Sequence, residues 1–123
     1  MKSVHWSSFS FLILPTGYGC QYHYDSQAFL FSLVNKPGWA PVKLPQTGTH
    51  SIHDCSSYGP TFGGGHDIYI ATYASSSSSS YINLGYQYSS PSGYSYGSTF
   101  TQTFLASTYR FTPDEVETFY ETT

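Results

Sequence analysis

Apolar and polar positions recur with a period of two in the patterned parts of this chain, the spacing of a strand rather than of a helix. In residues 27–34, QAFLFSLV, Phe29, Phe31 and Leu33 fall on one face and Leu30 and Val34 on the other. A strand that is apolar on both faces lies inside a sheet. Asn35-Lys36-Pro37-Gly38 ends it with turn residues, and the Pro-punctuated residues 39–45 fit an edge strand or a loop. After a turn at 46–49, residues 50–54 and 57–62 read as short extended segments. Residues 66–73 alternate again, with Ile68 and Ile70 on one side and Tyr69, Ala71 and Tyr73 on the other, and predict a second strand. Residues 81–88 continue the extended pattern, and Ser89-Ser90-Pro91-Ser92-Gly93 is a turn.

Two segments break the alternation. Residues 75–80 are six consecutive serines with nothing to bury, which predicts a flexible surface loop where clustered phosphorylation is conceivable. Thr112-Pro113-Asp114-Glu115 has the N-cap, N1 proline and N3 glutamate of a helix start, but the residues after it are β-branched and aromatic. One helical turn leading into a final strand is the expected outcome.

Composition agrees with a mainly β chain. Its 123 residues suit one domain, and 20% are aromatic against 9% charged, with 13 tyrosines and 11 glycines. The net charge of −3 is concentrated near the C-terminus, where Asp114, Glu115, Glu117 and Glu121 supply four of the seven acids. With only Lys2, Lys36, Lys43 and Arg110 as bases there is no patch to neutralise phosphates, so nucleic acid is not expected as a partner. No stretch approaches the roughly 20 apolar residues of a membrane-spanning helix, and a soluble protein is expected. The opening MKSVHWSSFSFLILP has a lone Lys2 and a short apolar run, as a signal peptide has, but Ser7, Ser8 and Ser10 interrupt the run and Pro15 follows it. A strand over residues 9–14 is the preferred reading, with a cytoplasmic location. Secretion is the alternative.

The candidate chemistry lies between residues 50 and 67. Thr61-Phe62-Gly63-Gly64-Gly65-His66-Asp67 places three glycines before a His-Asp pair. A phosphate-binding loop needs Lys-Ser/Thr after its glycines or a GxGxxG opening a helix, so these glycines are expected to shape a turn or bulge. His50, His53, Cys55 and His66 are the residues able to ligate a metal, but on a strand His50 points away from His53 and Cys55, and no metal or cofactor is expected. Cys20 and Cys55 have no CxxC spacing and their pairing is open, reduced thiols being the expected state. Serines and histidines are abundant, yet no GxSxG elbow picks out a nucleophile, and nothing signals a lowered thiol pKa beside His53 or His66. Glu115 and Glu117 read as the solvated side of the last strand. The tyrosines fit a ligand-stacking surface, but with so few aliphatic residues most of their rings are expected in the core.

DSQAFLFSLVNKPG, SSYGPTFGGGHDIYI, SYINLGYQY and FLASTYRFTPDEVETFY, in that order and spacing, resemble the TLDc domain family over about residues 17–120. The resemblance implies a β-sandwich core with short peripheral helices. Its motif falls on Phe29, Phe31, Leu33, Phe62, Gly63, Gly64, Gly65, His66, Asp67, Ile68 and Ile70, and on Glu117 and Phe119 of the closing segment, where Thr118 and Phe119 depart from the family's Glu-Val-Trp-like pattern. Such domains usually begin with further helices and a strand. Residues 1–16 are therefore expected to be a truncated or replaced N-terminal segment, and residues 17–123 a partial domain. The resemblance further implies a non-catalytic interaction module linked to oxidative-stress resistance and to binding or regulating the vacuolar proton pump. A secreted Tyr/Gly-rich β-sandwich that binds carbohydrate or matrix is the alternative.

Overall fold

A computed structural model of the chain describes residues 4–6, as backbone only, and residues 20–114. Among the described residues the chain forms β1 (Val4–Trp6), β2 (Cys20–His23), β3 (Phe29–Ser32), β4 (Val42–Pro45), β5 (Ile52–Cys55), β6 (Thr61–Phe62), β7 (Ile68–Tyr69), β8 (Ser80–Ile82), a short helix α1 (Thr99–Thr103) and β9 (Arg110–Phe111). They make two antiparallel sheets, β1-β3-β4 and β2-β5-β6-β7-β8-β9. Leu30 and Leu44 from the small sheet, Ala28 just before it, and Ile52, Phe62, Ile68, Ile82 and Phe111 from the large one join a single buried cluster, closed by Leu84, Tyr88, Phe104 and Leu105. The expected β-sandwich is thus present.

Register explains how the large sheet acquires two unlike faces. Ile52 pairs with Phe62, Phe62 with Ile68, and Ile68 with Ile82, so one face is a continuous apolar row toward the core. With a side-chain period of two, the alternate residues face outward. These are Tyr22 opposite His53, Thr61 opposite Tyr69, and Tyr81 opposite both Tyr69 and Arg110.

Several elements differ from the sequence pattern. The strand expected over 27–34 is central in its sheet but ends at Ser32, leaving Leu33 and Val34 about half exposed, at 47% and 50%. The cause is local: the Ser32 hydroxyl donates to the Val34 carbonyl at 2.8 Å, and the Asn35 side chain accepts the Trp39 N–H at 2.8 Å, so hydrogen bonds of a turn replace those of the ladder. β4 is the anticipated edge strand and ends in Pro45. The strand of 66–73 shortens to Ile68–Tyr69 because His66 and Tyr73 adopt left-handed backbone, at φ 59° and 56°.

The serine run does not form a uniform loop. Ser75, Ser76, Ser78 and Ser79 are exposed, whereas Ser80 is fully buried in β8 and accepts the Ala71 N–H at 3.0 Å. Helix α1 was not legible in the hydrophobic pattern; its signal is Ser98, whose hydroxyl caps the helix by accepting from the Thr101 N–H. The helix leads into Phe104 and Leu105, and Trp39 packs edge-on to Phe104 at 5.7 Å. Thr112 and Pro113 have no regular structure. The remainder of the expected C-terminal turn and strand, with Glu115, Glu117 and Phe119, lies outside the described residues, as does the strand expected at 9–14.

Candidate functional site

The glycine-rich segment connects β6 to β7. Gly63 sits at φ +87°, and a Cβ there would come within 2.2 Å of the Asp67 Oδ1, so both its backbone angle and its space call for glycine. The His66 N–H closes the turn on the Gly63 carbonyl at 3.1 Å. Within the run, Gly63 but not Gly64 or Gly65 takes the positive φ that glycine permits.

The two residues that follow part company. Asp67 turns inward and is fully buried, where its carboxylate accepts the backbone N–H groups of Gly85, Tyr86, Gln87 and Tyr88 at 3.0–3.2 Å. One side chain thereby organises the whole loop after β8. Burial pushes the Asp67 carboxyl up to about 6, and the four N–H donors pull the other way. Tyr88, the last of these four, donates its hydroxyl to the Ser51 carbonyl at 2.8 Å, and burial raises its pKa.

His66 turns outward and joins the second face of the large sheet. Its Nε2 lies 2.8 Å from the His53 Nδ1, and its Nδ1 lies 2.9 Å from the Tyr81 hydroxyl. Around this chain the rings pack in a layer. Tyr22 stacks on His53 at 4.3 Å and meets His50 edge-on at 4.3 Å, while His66 stacks on Tyr69 at 5.6 Å. The Tyr58 ring stands nearly perpendicular to His53, His66 and Tyr69, with centroids 5.1–5.4 Å apart. The Arg110 guanidinium lies 5.3 Å from the centre of the Tyr81 ring. Burial lowers the pKa of His53, with His50 adding to the effect and Asp54 opposing it, and burial followed by His53 lowers that of His66. Both imidazoles are accordingly neutral at neutral pH. Burial, then Tyr109, pushes the Tyr81 phenol up to about 12.

The tyrosines are the main departure from expectation. Among the described residues only Tyr88 belongs to the buried core; Tyr22, Tyr24, Tyr73, Tyr86, Tyr94 and Tyr96 are exposed, and Tyr58, Tyr69 and Tyr81 lie in the outer ring layer. A phenol needs a polar partner, which is readily found on the outer face, while isoleucine, leucine and phenylalanine fill the interior.

The cysteines, expected as free thiols, are joined. Cys20 and Cys55 are direct cross-strand partners of β2 and β5, with Cα atoms 4.1 Å apart, and form a disulfide. Their linear spacing carries no sign of this, because strand pairing sets it. Of the four residues able to ligate a metal, the fold brings His53 beside Cys55 and adds Cys20, with the three ligand atoms within 4.8 Å of one another. His66 touches His53, and His50 is not among the three but meets edge-on the Tyr22 ring that stacks on His53.

A sandwich of two antiparallel sheets, with a glycine-led hairpin holding a buried aspartate, is thus a mainly β domain with an imidazole–tyrosine layer on the outer face of its large sheet. The chain matches the model of the TLDc domain family over residues 13–121 and belongs to that family. No similar curated protein and no similar solved structure was found. No helix among the described residues is long and apolar enough to cross a membrane.

Proposed function

We propose that this chain is a non-catalytic protein-interaction module of TLDc type, acting in the cytoplasm, that binds or regulates the vacuolar proton-pumping ATPase and contributes to oxidative-stress resistance. The observation that supports the reading is the family match over nearly the whole chain. Its non-catalytic character is supported by how the reactive side chains are engaged: His53 and His66 bond each other and Tyr81, Asp67 is consumed by backbone N–H groups, and Cys55 is tied to Cys20. The hydroxyl in contact with His66 is the phenol of Tyr81, whose pKa burial raises, the reverse of an activated nucleophile.

The test is a pull-down with the chain as bait from cytosolic and vacuolar fractions, alongside a Gly63→Val variant. Recovery of pump subunits by the wild type supports the proposal, no recovery by the folded wild type contradicts it, and equal recovery by both chains shows that the glycine turn is not required for binding. Secretion, with carbohydrate or matrix as ligand, is favoured by two observations: a disulfide, which persists in oxidising compartments, and tyrosines turned outward. Mass spectrometry of the native N-terminus separates the two, since an intact or acetylated Met1 excludes cleavage of a leader.

A further inference from the structure

The outer face of the large sheet carries a cluster that the interaction role does not use. Cys20, His53 and Cys55 present two sulfurs and one ring nitrogen within 4.8 Å of one another, on two adjacent strands in fixed register. His53 and Cys55 share this face because they are two residues apart on β5, and Cys20 is the direct partner of Cys55. We propose that the reduced form of this chain binds a soft divalent cation of the Zn2+ type through Cys20, Cys55 and His53, and that the disulfide and the metal are mutually exclusive occupants of one site.

Ligand type and charge both fit. Two thiolates and a neutral imidazole are the donors zinc favours, and together they neutralise its charge on a half-buried face. Tetrahedral zinc holds such donors roughly 3.5–3.8 Å apart, within the spread already present here. The His53 Nδ1 is engaged by His66, which leaves Nε2 for the metal. With the metal there, His53 donates from Nδ1 to the His66 Nε2, and His66 donates from its own Nδ1 to the Tyr81 hydroxyl. A ligating histidine held through its other nitrogen is the usual support of a zinc site. The fourth position falls to water.

Entry to the metal-bound state requires a dithiol reductant. It delivers two electrons and two protons to the Cys20–Cys55 bond, is itself closed to a disulfide, and leaves two thiols. The cation then displaces both thiol protons to solvent as the two metal–sulfur bonds form. A disulfide oxidant takes the two electrons as the Cys20 and Cys55 sulfurs rejoin, is itself reduced to two thiols and releases the metal, which makes occupancy a readout of the thiol–disulfide balance.

Cobalt(II) is the probe, since thiolate-to-cobalt charge-transfer bands report the sulfur ligands directly. The intact chain is reduced with a dithiol, freed of reductant without air, and titrated beside the oxidised chain. The reduced chain is expected to take up one equivalent with charge-transfer bands, to release it to zinc, and to keep the near-ultraviolet tyrosine signal of the oxidised chain. His66→Ala is expected to weaken binding about 10- to 100-fold while leaving the bands in place, as loss of a supporting contact does. Equal uptake by oxidised and reduced chains overturns the proposal. So does uptake by the reduced chain no greater than that of a Cys20→Ser/Cys55→Ser variant, or a reduced chain that unfolds and that zinc does not refold.

Discussion

The Asp67 carboxylate holds the backbone N–H groups of Gly85, Tyr86, Gln87 and Tyr88. Replacing Asp67 with asparagine keeps the shape but puts an NH2 group among the N–H donors that the carboxylate accepts, and is expected to cost roughly 2–3 kcal/mol of stability by denaturant unfolding. The pH dependence follows from its raised pKa, about 6 folded against 3.8 as a free carboxyl. Between those values the folded state holds a proton that the unfolded state has released, so this group's contribution is complete below about pH 4 and is lost as the pH rises through 6. The histidines act oppositely, since their lowered pKa values remove stability as the pH falls below the free imidazole value. Comparing wild type with Asp67→Asn cancels the histidines. The stability gap between the two chains is expected to be roughly 2 kcal/mol more in favour of wild type at pH 4.5 than at pH 6.5. Gly63→Ala meets the Asp67 carboxylate and a positive φ together, and is expected to cost about 2–4 kcal/mol in the same measurement. At this scale the sequence was partly readable. Gly63 announced a turn, while the opposite fates of His66 and Asp67 depend on the left-handed backbone of His66, which no local pattern encodes.

Among the elements, the β2–β5 pair is the most informative. Its disulfide spans 35 positions, and closing such a loop in the unfolded chain corresponds to about 4 kcal/mol. Reduction in the absence of metal is therefore expected to lower the unfolding free energy by roughly 2–4 kcal/mol, read by urea titration with and without a dithiol. Strand β8 makes a second prediction. Ser80→Ala removes the acceptor of the buried Ala71 N–H and is expected to cost about 1–3 kcal/mol, whereas Ser78→Ala, at an exposed position, is expected to stay within about 0.5 kcal/mol of wild type. Identity along the serine run thus hides a difference in burial that only strand pairing reveals. The same limit applied to α1, because Thr99–Thr103 has no apolar stripe and only Gln102 as a good helix former, and is held by its Ser98 cap and its lead into Phe104. Where a strand's two faces differ strongly, as at Ile68 and Tyr69, the alternation was legible at once.

Over the whole molecule, the apolar row of the large sheet supplies the core and the imidazole–tyrosine layer supplies the surface chemistry, and both follow from one register. The β-rich class was readable from composition, and the family from its ordered motifs. The inside–outside choice of the tyrosines was not, since a tyrosine alternating with isoleucine satisfies either face until the second sheet covers one of them. Membership of the TLDc family frames the central claim, that this chain acts by holding a protein partner. The most direct test is calorimetric titration of the purified chain into the purified vacuolar proton-pumping ATPase. The account predicts saturable binding at a fixed stoichiometry, lost in Gly63→Val and without turnover of any group on this chain. Absence of heat and of co-elution with the folded, oxidised chain would contradict it.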